Sequence, residues 1–146
     1  MTNAEQVQSA SGTPEDVKVG ASLSYTKTVA ESDVYLFAGI TGDFSPNHID
    51  TEYMRQGRYG ERIAHGALMV GLMSAASARM RLGRTVSLGY DRVRFVGPVR
   101  FGDTITTEYT ITEVDPAKKR VYAKLTCTNQ RGEVVASAIN LRAFVD

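Results

Sequence analysis

The sequence predicts a single α+β domain in which one long apolar helix packs against an antiparallel sheet. Three features predict this class: a strand-like segment near the N-terminus, a helical run rich in small apolar residues, and four strand-like runs after it. An apolar helix and a set of strands bury their apolar surfaces best by packing as two layers. The 146 residues correspond to one domain, which is large enough to bury a core without disulfides.

The chain is predicted to begin with a flexible tail and a strand. Residues 1–17 are polar and small and lack periodicity, which is typical of a tail, and the domain is then expected to comprise residues 18–146. Apolar or long side chains next alternate with small hydroxyl residues, and this two-residue period indicates a strand. The alternating positions are Leu23, Tyr25 and Lys27.

Helical signals follow this strand. Residues 31–33 (Glu-Ser-Asp) supply helix-start chemistry, and Gly42 is expected to end the short helix that they begin. The polar segment 50–62 contains two glycines and is predicted to be a loop with one helical turn at 51–55.

The second half of the chain contains the long helix and the sheet. Residues 64–82 are apolar on nearly every side, which predicts a buried helix, and Gly83 is expected to end it. Residues 129–132 (Asn-Gln-Arg-Gly) carry a hairpin signal between the last two strands. The four predicted strands lie near 85–97, 103–114, 120–130 and 133–145.

Composition excludes several classes of function. The 17 basic and 16 acidic residues give a net charge of +1, which offers no general attraction for nucleic acid or anionic membranes. No apolar run approaches the roughly 20 residues needed to cross a bilayer, and the N-terminus lacks the pattern of a secretory signal. Cys127 is the single cysteine, so we expect no intrachain disulfide, no metal site and a cytoplasmic protein.

The strongest chemical signal is an aspartate and a histidine five residues apart. Asp43 and His48 lie in a segment that Gly42 and Pro46 are expected to bend, so both side chains can point at one small volume. A carboxylate and an imidazole that converge can hold and deprotonate a water molecule. Taken separately, the residues also suit a turn and a buried, hydrogen-bonded histidine.

The second histidine begins the long helix. His65 is expected to have a structural role there, since polar residues often cap a helix start. Gly66 has two interpretations: its N–H polarises a carbonyl oxygen that approaches it, or its lack of a Cβ allows close helix–sheet packing.

Together these segments resemble a known family signature. Residues 41–50 (Thr-Gly-Asp-Phe-Ser-Pro-Asn-His-Ile-Asp) and 64–68 (Ala-His-Gly-Ala-Leu) are similar in order and spacing to the signature of MaoC-like dehydratases and (R)-specific enoyl-CoA hydratases. The similarity extends from about residue 20 to the C-terminus. The chain departs from the pattern at Ser45, where Asn is usual, and at Asn47, where an apolar residue is usual.

The resemblance implies a fold and a reaction. The fold is a single hotdog, in which a curved antiparallel sheet wraps around the long helix. The reaction is the reversible hydration of a trans-2-enoyl thioester to a (R)-3-hydroxyacyl thioester, which would make the chain a hydro-lyase. The implied roles are Asp43 and His48 as the catalytic pair, the N–H of Gly66 as the oxyanion donor, and Ser74 as a residue that orders the aspartate.

The resemblance also implies that the protein needs no cofactor and works as a homodimer or larger homo-oligomer. The acyl carrier is coenzyme A or acyl carrier protein, and arginines in the loop after the motif, or along the strand that leads to Pro98, are candidates for binding its phosphates. They are Arg55, Arg58, Arg62, Arg92, Arg94 and Arg100. A solvated surface is the alternative role for each of them.

Two further functions remain open on the sequence: a hotdog thioesterase and a non-catalytic module that binds acyl thioesters. The Asp-x-x-x-x-His arrangement argues against the thioesterase. At Asn47 a buried, unpaired carboxamide would cost about 1–3 kcal/mol. We therefore expect the preferred acyl group to be short or to carry oxygen.

Overall fold

The computed structural model describes residues 12–145. A 3₁₀ turn at Pro14–Asp16 precedes five strands and four helices. In chain order these are β1 (Ser22–Thr28), α1 (Glu31–Thr41), α2 (Pro46–Ile49), α3 (Thr51–Arg55), α4 (Gly66–Arg79), β2 (Thr85–Phe95), β3 (Thr104–Asp115), β4 (Arg120–Thr128) and β5 (Val134–Phe144).

The strands form one antiparallel sheet in the order β1-β3-β4-β5-β2, and α4 packs on it. Burial alternates along most of β3 and β4, so one face of the sheet supplies the core and the other faces outward. Met69, Met73 and Ala76 of α4 belong to the same core cluster as Tyr109 and Leu125 of the sheet. Register shifts in the β2–β5, β3–β4 and β4–β5 pairs mark bulges, which bend and twist a sheet.

Most predicted elements are confirmed. The strand at β1, the short helix α1, the single turn of α3 and the four later strands lie close to their predicted positions. Gly42 ends α1 in the left-handed conformation, with φ of 82°, as glycine allows at a helix C-terminus. Asn129 forms the predicted hairpin turn by accepting a backbone hydrogen bond from Gly132 at 3.0 Å.

The central helix is shorter than the predicted 64–82. The buried guanidinium of Arg142 in β5 donates to the carbonyl oxygens of Ser77 and Met80, both at 2.9 Å, and also bonds the hydroxyl of Thr85. The Ser77 carbonyl also accepts from the N–H of Met80, so Arg142 adds a second donor there and supplies one to Met80. A cation is stabilised at this end of the helix dipole. A strand residue that is distant in sequence thus caps the helix, and the helical pattern of α4 gives no sign of it.

One face of α4 is exposed in the single chain, although the sequence pattern predicted burial on nearly every side. The exposed positions recur every three or four residues and carry small side chains. They are Ala67, Gly71, Ser74 and Ala78. The sheet covers only the opposite face, which includes Met69 and Met73.

Residues 12–17 pack onto the domain that was predicted to begin at residue 18. Pro14 is buried and Val17 packs against the core, so the prediction of a flexible tail is wrong for residues 12–17. A Cβ on Gly83 would lie 2.3 Å from the Cα of Gly12, so this contact requires glycine at position 83. Residues 1–11 of the predicted tail lie outside the described residues. No helix within residues 12–145 is long and apolar enough to cross a membrane.

We expect Arg142→Met to lower the free energy of unfolding by at least about 2 kcal/mol, because buried acceptors lose a charged donor. Urea denaturation measures this loss. Arg81→Met is the control, since Arg81 is exposed near the same end of α4. Equal midpoints for Arg142→Met and the wild type would show that the cap contributes nothing.

Candidate active site

The predicted catalytic segment lies between α1 and α3. Gly42 turns the chain out of α1, and Pro46 begins the single turn α2, where its fixed φ suits the first helical position. His48 lies in that turn and is buried, whereas the side chain of Asp43 is 46% exposed. The structure therefore brings the two residues together, with the carboxylate on the solvent side.

A backbone contact fixes the tautomer of His48. Its Nδ1 lies 2.8 Å from the carbonyl oxygen of Ile63, which can only accept, so Nδ1 carries the proton and Nε2 has a free lone pair. That Nε2 lies 3.9 Å from Oδ2 of Asp43. One water molecule can lie about 2.8 Å from both atoms and donate a hydrogen bond to each. The geometry thus suits a single water held between the two side chains.

Ser45 sets the charge state of Asp43. Its hydroxyl donates to Oδ1 of the carboxylate at 2.6 Å, and its backbone N–H donates to the same oxygen at 3.1 Å. These two hydrogen bonds hold the pKa of Asp43 below its usual value, because they stabilise the charged form, and the imidazoles of His48 and His65 act in the same direction. Asp43 is therefore ionised at neutral pH.

His65 is structural, as expected, but it does not cap the helix. It occupies the N-cap position of α4 without a side-chain capping bond. Its ring is only 2% exposed and stacks on the ring of His48, with centroids 3.7 Å apart. Nε2 of His65 donates to the backbone carbonyl of Asp43 at 2.9 Å, so this residue contacts both members of the predicted catalytic pair. The capping interpretation was wrong because the ring bonds a distant loop instead.

The stacked rings also bear on metal binding. Asp43, His48 and His65 each offer one ligand atom, and these atoms lie within 4.8 Å of one another. The planes of the two imidazoles are inclined by only 26°, so their lone pairs run side by side rather than toward a common point. A metal ion binds imidazole along the lone pair, and this arrangement therefore disfavours one ion shared by both histidines.

Gly66 packs closely against β2. A Cβ at this position would lie 2.6 Å from the ring of Phe95, so the packing role of Gly66 is realised in the structure. No described residue accepts a hydrogen bond from the Gly66 N–H, which is the first of α4. The oxyanion role of this N–H stays a prediction.

Ser74 does not meet Asp43 within one chain. Eight helical residues separate it from Gly66, which is a rise of about 12 Å. Burial raises the pKa of Tyr90 in β2, and the neighbouring hydroxyls of Ser74 and Ser87 oppose that rise. Within the chain, Ser45 orders the carboxylate instead, at a position where the sequence departs from the family pattern.

A cavity of about 360 Å³ opens beside His48 and His65. Besides the two histidines, three polar residues line it, Asn47, Arg58 and Tyr59, and they form its polar wall. All three are exposed, so the buried, unpaired carboxamide considered for Asn47 is not found, although Asn47 does line a pocket. Its apolar wall includes Met69, Phe95, Val96, Pro98, Val99 and Val135. Sequence patterns did not identify Tyr59 or the apolar wall, because residues from separate elements form this surface.

Comparisons with known proteins agree with this geometry. Residues 12–131 match the family described as MaoC like domain. The chain belongs to the MaoC-like family. The MaoC-like chain is 41% identical over 114 residues to a (R)-specific enoyl-CoA hydratase of Rhodospirillum rubrum, covering 78% of this chain and 79% of that protein. It is 35% identical over 121 residues to a 3-hydroxybutyryl-CoA dehydratase of Methylorubrum extorquens, covering 83% and 76%.

Solved structures show the same fold. The R-hydratase PhaJ1 of Pseudomonas aeruginosa, in its unliganded form, superposes with a TM-score of 0.82 and 36% identity over 92% of this chain and 87% of that one. The (R)-hydratase of Aeromonas caviae superposes with a TM-score of 0.82, covering 88% of this chain and 98% of that one. At 24% identity this second match shows the fold alone. The MaoC-like chain is a hotdog domain, as the sequence resemblance implied.

We expect Ser45→Ala to raise the pKa of Asp43, because the variant removes the hydroxyl donor to the charged carboxylate. NMR titration of the carboxyl carbon measures the pKa directly. Ser32→Ala, at an exposed position in α1, is the control. An unchanged pKa in Ser45→Ala would contradict the role assigned to this hydrogen bond.

Proposed function

We propose that this protein hydrates trans-2-enoyl thioesters to (R)-3-hydroxyacyl thioesters and catalyses the reverse dehydration. The observation that carries the proposal is the 3.9 Å gap between Oδ2 of Asp43 and Nε2 of His48, with the His48 tautomer fixed by Ile63. The hydratase and dehydratase among the relatives support this choice over other chemistry.

The two side chains take different parts in the proposed reaction. Imidazole is intrinsically a stronger base than carboxylate, and the hydrogen bonds from Ser45 weaken Asp43 further as a base. His48 therefore removes a proton from the water as its oxygen bonds to C3. Asp43 stays ionised, orients the water and stabilises the imidazolium. Electrons of the C2–C3 double bond move to the thioester oxygen as the new bond forms.

The reaction then closes with a proton transfer to C2. The imidazolium of His48 returns its proton to C2 as the enolate collapses, so the hydroxyl group and the proton arrive from the same side. The N–H of Gly66 is the proposed donor to the thioester oxygen, which gains negative charge in this step. The addition of water changes no net oxidation state, so we propose no redox cofactor. Coenzyme A is the proposed carrier, in keeping with the relatives' names.

We also propose that the protein acts as a homodimer. The small-residue face of α4 is uncovered in the single chain. In addition, β2 lies at one edge of the sheet and exposes Val86 and Leu88. An exposed edge strand beside an uncovered apolar helix face is typical of a surface that a second chain covers.

The direct test is to mix the protein with crotonyl-CoA and follow both the enoyl-thioester absorbance and free thiol. Loss of absorbance without thiol supports hydration. Release of thiol would identify a thioesterase and overturn the proposal. A protein that binds the thioester and changes neither signal would be a binding module.

We expect Asp43→Asn and His48→Gln each to lower kcat by about 10²–10⁴-fold, the usual contribution of an acid–base group in contact with the reacting atoms. Circular dichroism and thermal melting verify that both variants fold. Near wild-type kcat in either folded variant would show that the assigned mechanism is wrong.

A double-mutant cycle separates the two roles of Gly66. Gly66→Ala collides with Phe95, and Phe95→Ala removes that collision. We expect Gly66→Ala to lower kcat/KM even in the Phe95→Ala background, because its methyl group crowds the thioester oxygen. Equal activity of Phe95→Ala and the double variant would assign Gly66 to packing alone.

A further inference from the structure

The polar wall of the cavity carries an unbalanced positive charge. Arg58 lines the cavity, and no aspartate or glutamate is found among the described residues that line it. The remaining polar groups on this wall are the carboxamide of Asn47 and the hydroxyl of Tyr59, so the wall has several donors and a net attraction for an anion.

The other arginines of this region are already paired. Arg55 bonds Glu52 at 2.8 Å, Arg62 bonds Glu31 at 2.8 Å, and Arg100 bonds Glu61 at 2.5 Å. Arg58 instead has its guanidinium 5.9 Å from the ring of Tyr59, and no carboxylate within the described residues pairs with it. Its charge is therefore available to a ligand in the cavity.

Asn47 places a second donor close to the reacting atoms. It directly precedes His48, and its backbone carbonyl accepts from the N–H of Ile63 at 3.0 Å, while His48 bonds the carbonyl of the same Ile63. The backbone of Asn47 is thus fixed beside the imidazole of His48. Asn47 and Arg58 line the same cavity as His48, so we place a group bound by both near the acyl end of the substrate.

The size of the cavity limits that group. At about 360 Å³ the cavity is at the small end of the roughly 300–1,000 Å³ typical of small-ligand pockets. The phosphates of coenzyme A are separated from the thioester by the whole pantetheine arm. A carboxylate on a short acyl chain is separated from it by only a few bonds, so the acyl group is the better source of the anion.

We propose that Asn47 and Arg58 form a subsite for a carboxylate at the end of a short enoyl group, so that the preferred substrate is a dicarboxylic acid monothioester. This inference rests on the proposed hydratase function. Arg58 supplies the charge-assisted hydrogen bonds, and the Asn47 amide donates beside it. The apolar wall opposite holds the chain that joins the carboxylate to the thioester.

The test compares two substrates of nearly equal size, trans-2-pentenoyl-CoA and trans-glutaconyl-CoA. C5 is a methyl group in the first and a carboxylate in the second. We expect the wild type to favour glutaconyl-CoA by about tenfold or more in kcat/KM, since hydrogen bonds to charged groups have energies that correspond to this factor. Arg58→Gln and Asn47→Leu should each reduce this preference for glutaconyl-CoA, because each removes a donor to the carboxylate that pentenoyl-CoA lacks. Arg55→Gln, which removes an arginine outside the cavity lining, should behave as the wild type.

The pantetheine thioesters of the same two acids separate the acyl group from the carrier. If Arg58 binds the acyl carboxylate, Arg58→Gln reduces the preference for glutaconyl over pentenoyl by the same factor with pantetheine thioesters as with CoA thioesters, although pantetheine lacks phosphates. If Arg58→Gln weakens both CoA thioesters and neither pantetheine thioester, the residue binds carrier phosphate and the proposal is overturned. Hydration of pentenoyl-CoA without a preference for glutaconyl-CoA would overturn this inference alone, whereas hydration of neither would overturn the proposed function as well.

Discussion

The stacking of His65 on His48 is the contact on which the rest of the site depends. His65 begins α4, and α4 is packed on the sheet, so the ring of His65 is held by the core of the domain. It supports the His48 ring at a centroid distance of 3.7 Å and bonds the backbone of Asp43. The carbonyl of Ile63 then fixes the rotation and tautomer of His48. The segment that carries Asp43 and His48 is thereby held in place against the start of α4.

The same arrangement explains how the segment that carries Asp43 and His48 keeps its geometry while partly exposed. Side chains that hold a water need a fixed separation, and a short loop alone rarely supplies one. Here the bonds of His48 to Ile63 and of His65 to Asp43 join two segments, residues 43–48 and residues 63–65. Asp43 keeps contact with solvent, and its charge is maintained by Ser45 rather than by burial.

Local patterns were sufficient to predict the elements and the Asp43–His48 pair. The alternation in β1, the glycine after α1 and the Asn129 hairpin each depend on residues close in sequence, and each is confirmed. The end of α4 was not predictable in this way, because Arg142 caps it from β5. For the same reason the helical pattern did not reveal which face of α4 the sheet leaves uncovered, since that depends on a surface formed by other elements.

The contacts of Ser45 and Asn47, the two departures from the family pattern, are visible only in the structure. Ser45 replaces the usual Asn, yet its hydroxyl and N–H both bond the carboxylate of Asp43. Asn47 replaces an apolar residue and lines a cavity whose polar wall it shares with Arg58. Sequence reasoning weighed six arginines equally, and the structure distinguishes Arg58 from the three whose carboxylate partners are now identified.

The stereochemistry of water addition tests the central claim most directly. Hydration of crotonyl-CoA in deuterium oxide, stopped at early times, gives a product whose relative configuration at C2 and C3 is readable from NMR couplings. Water held between Asp43 and His48, with His48 returning the proton, predicts that deuterium and the hydroxyl group add to the same face of the double bond. Addition to opposite faces would contradict the account, because it requires a proton donor on the side away from His48.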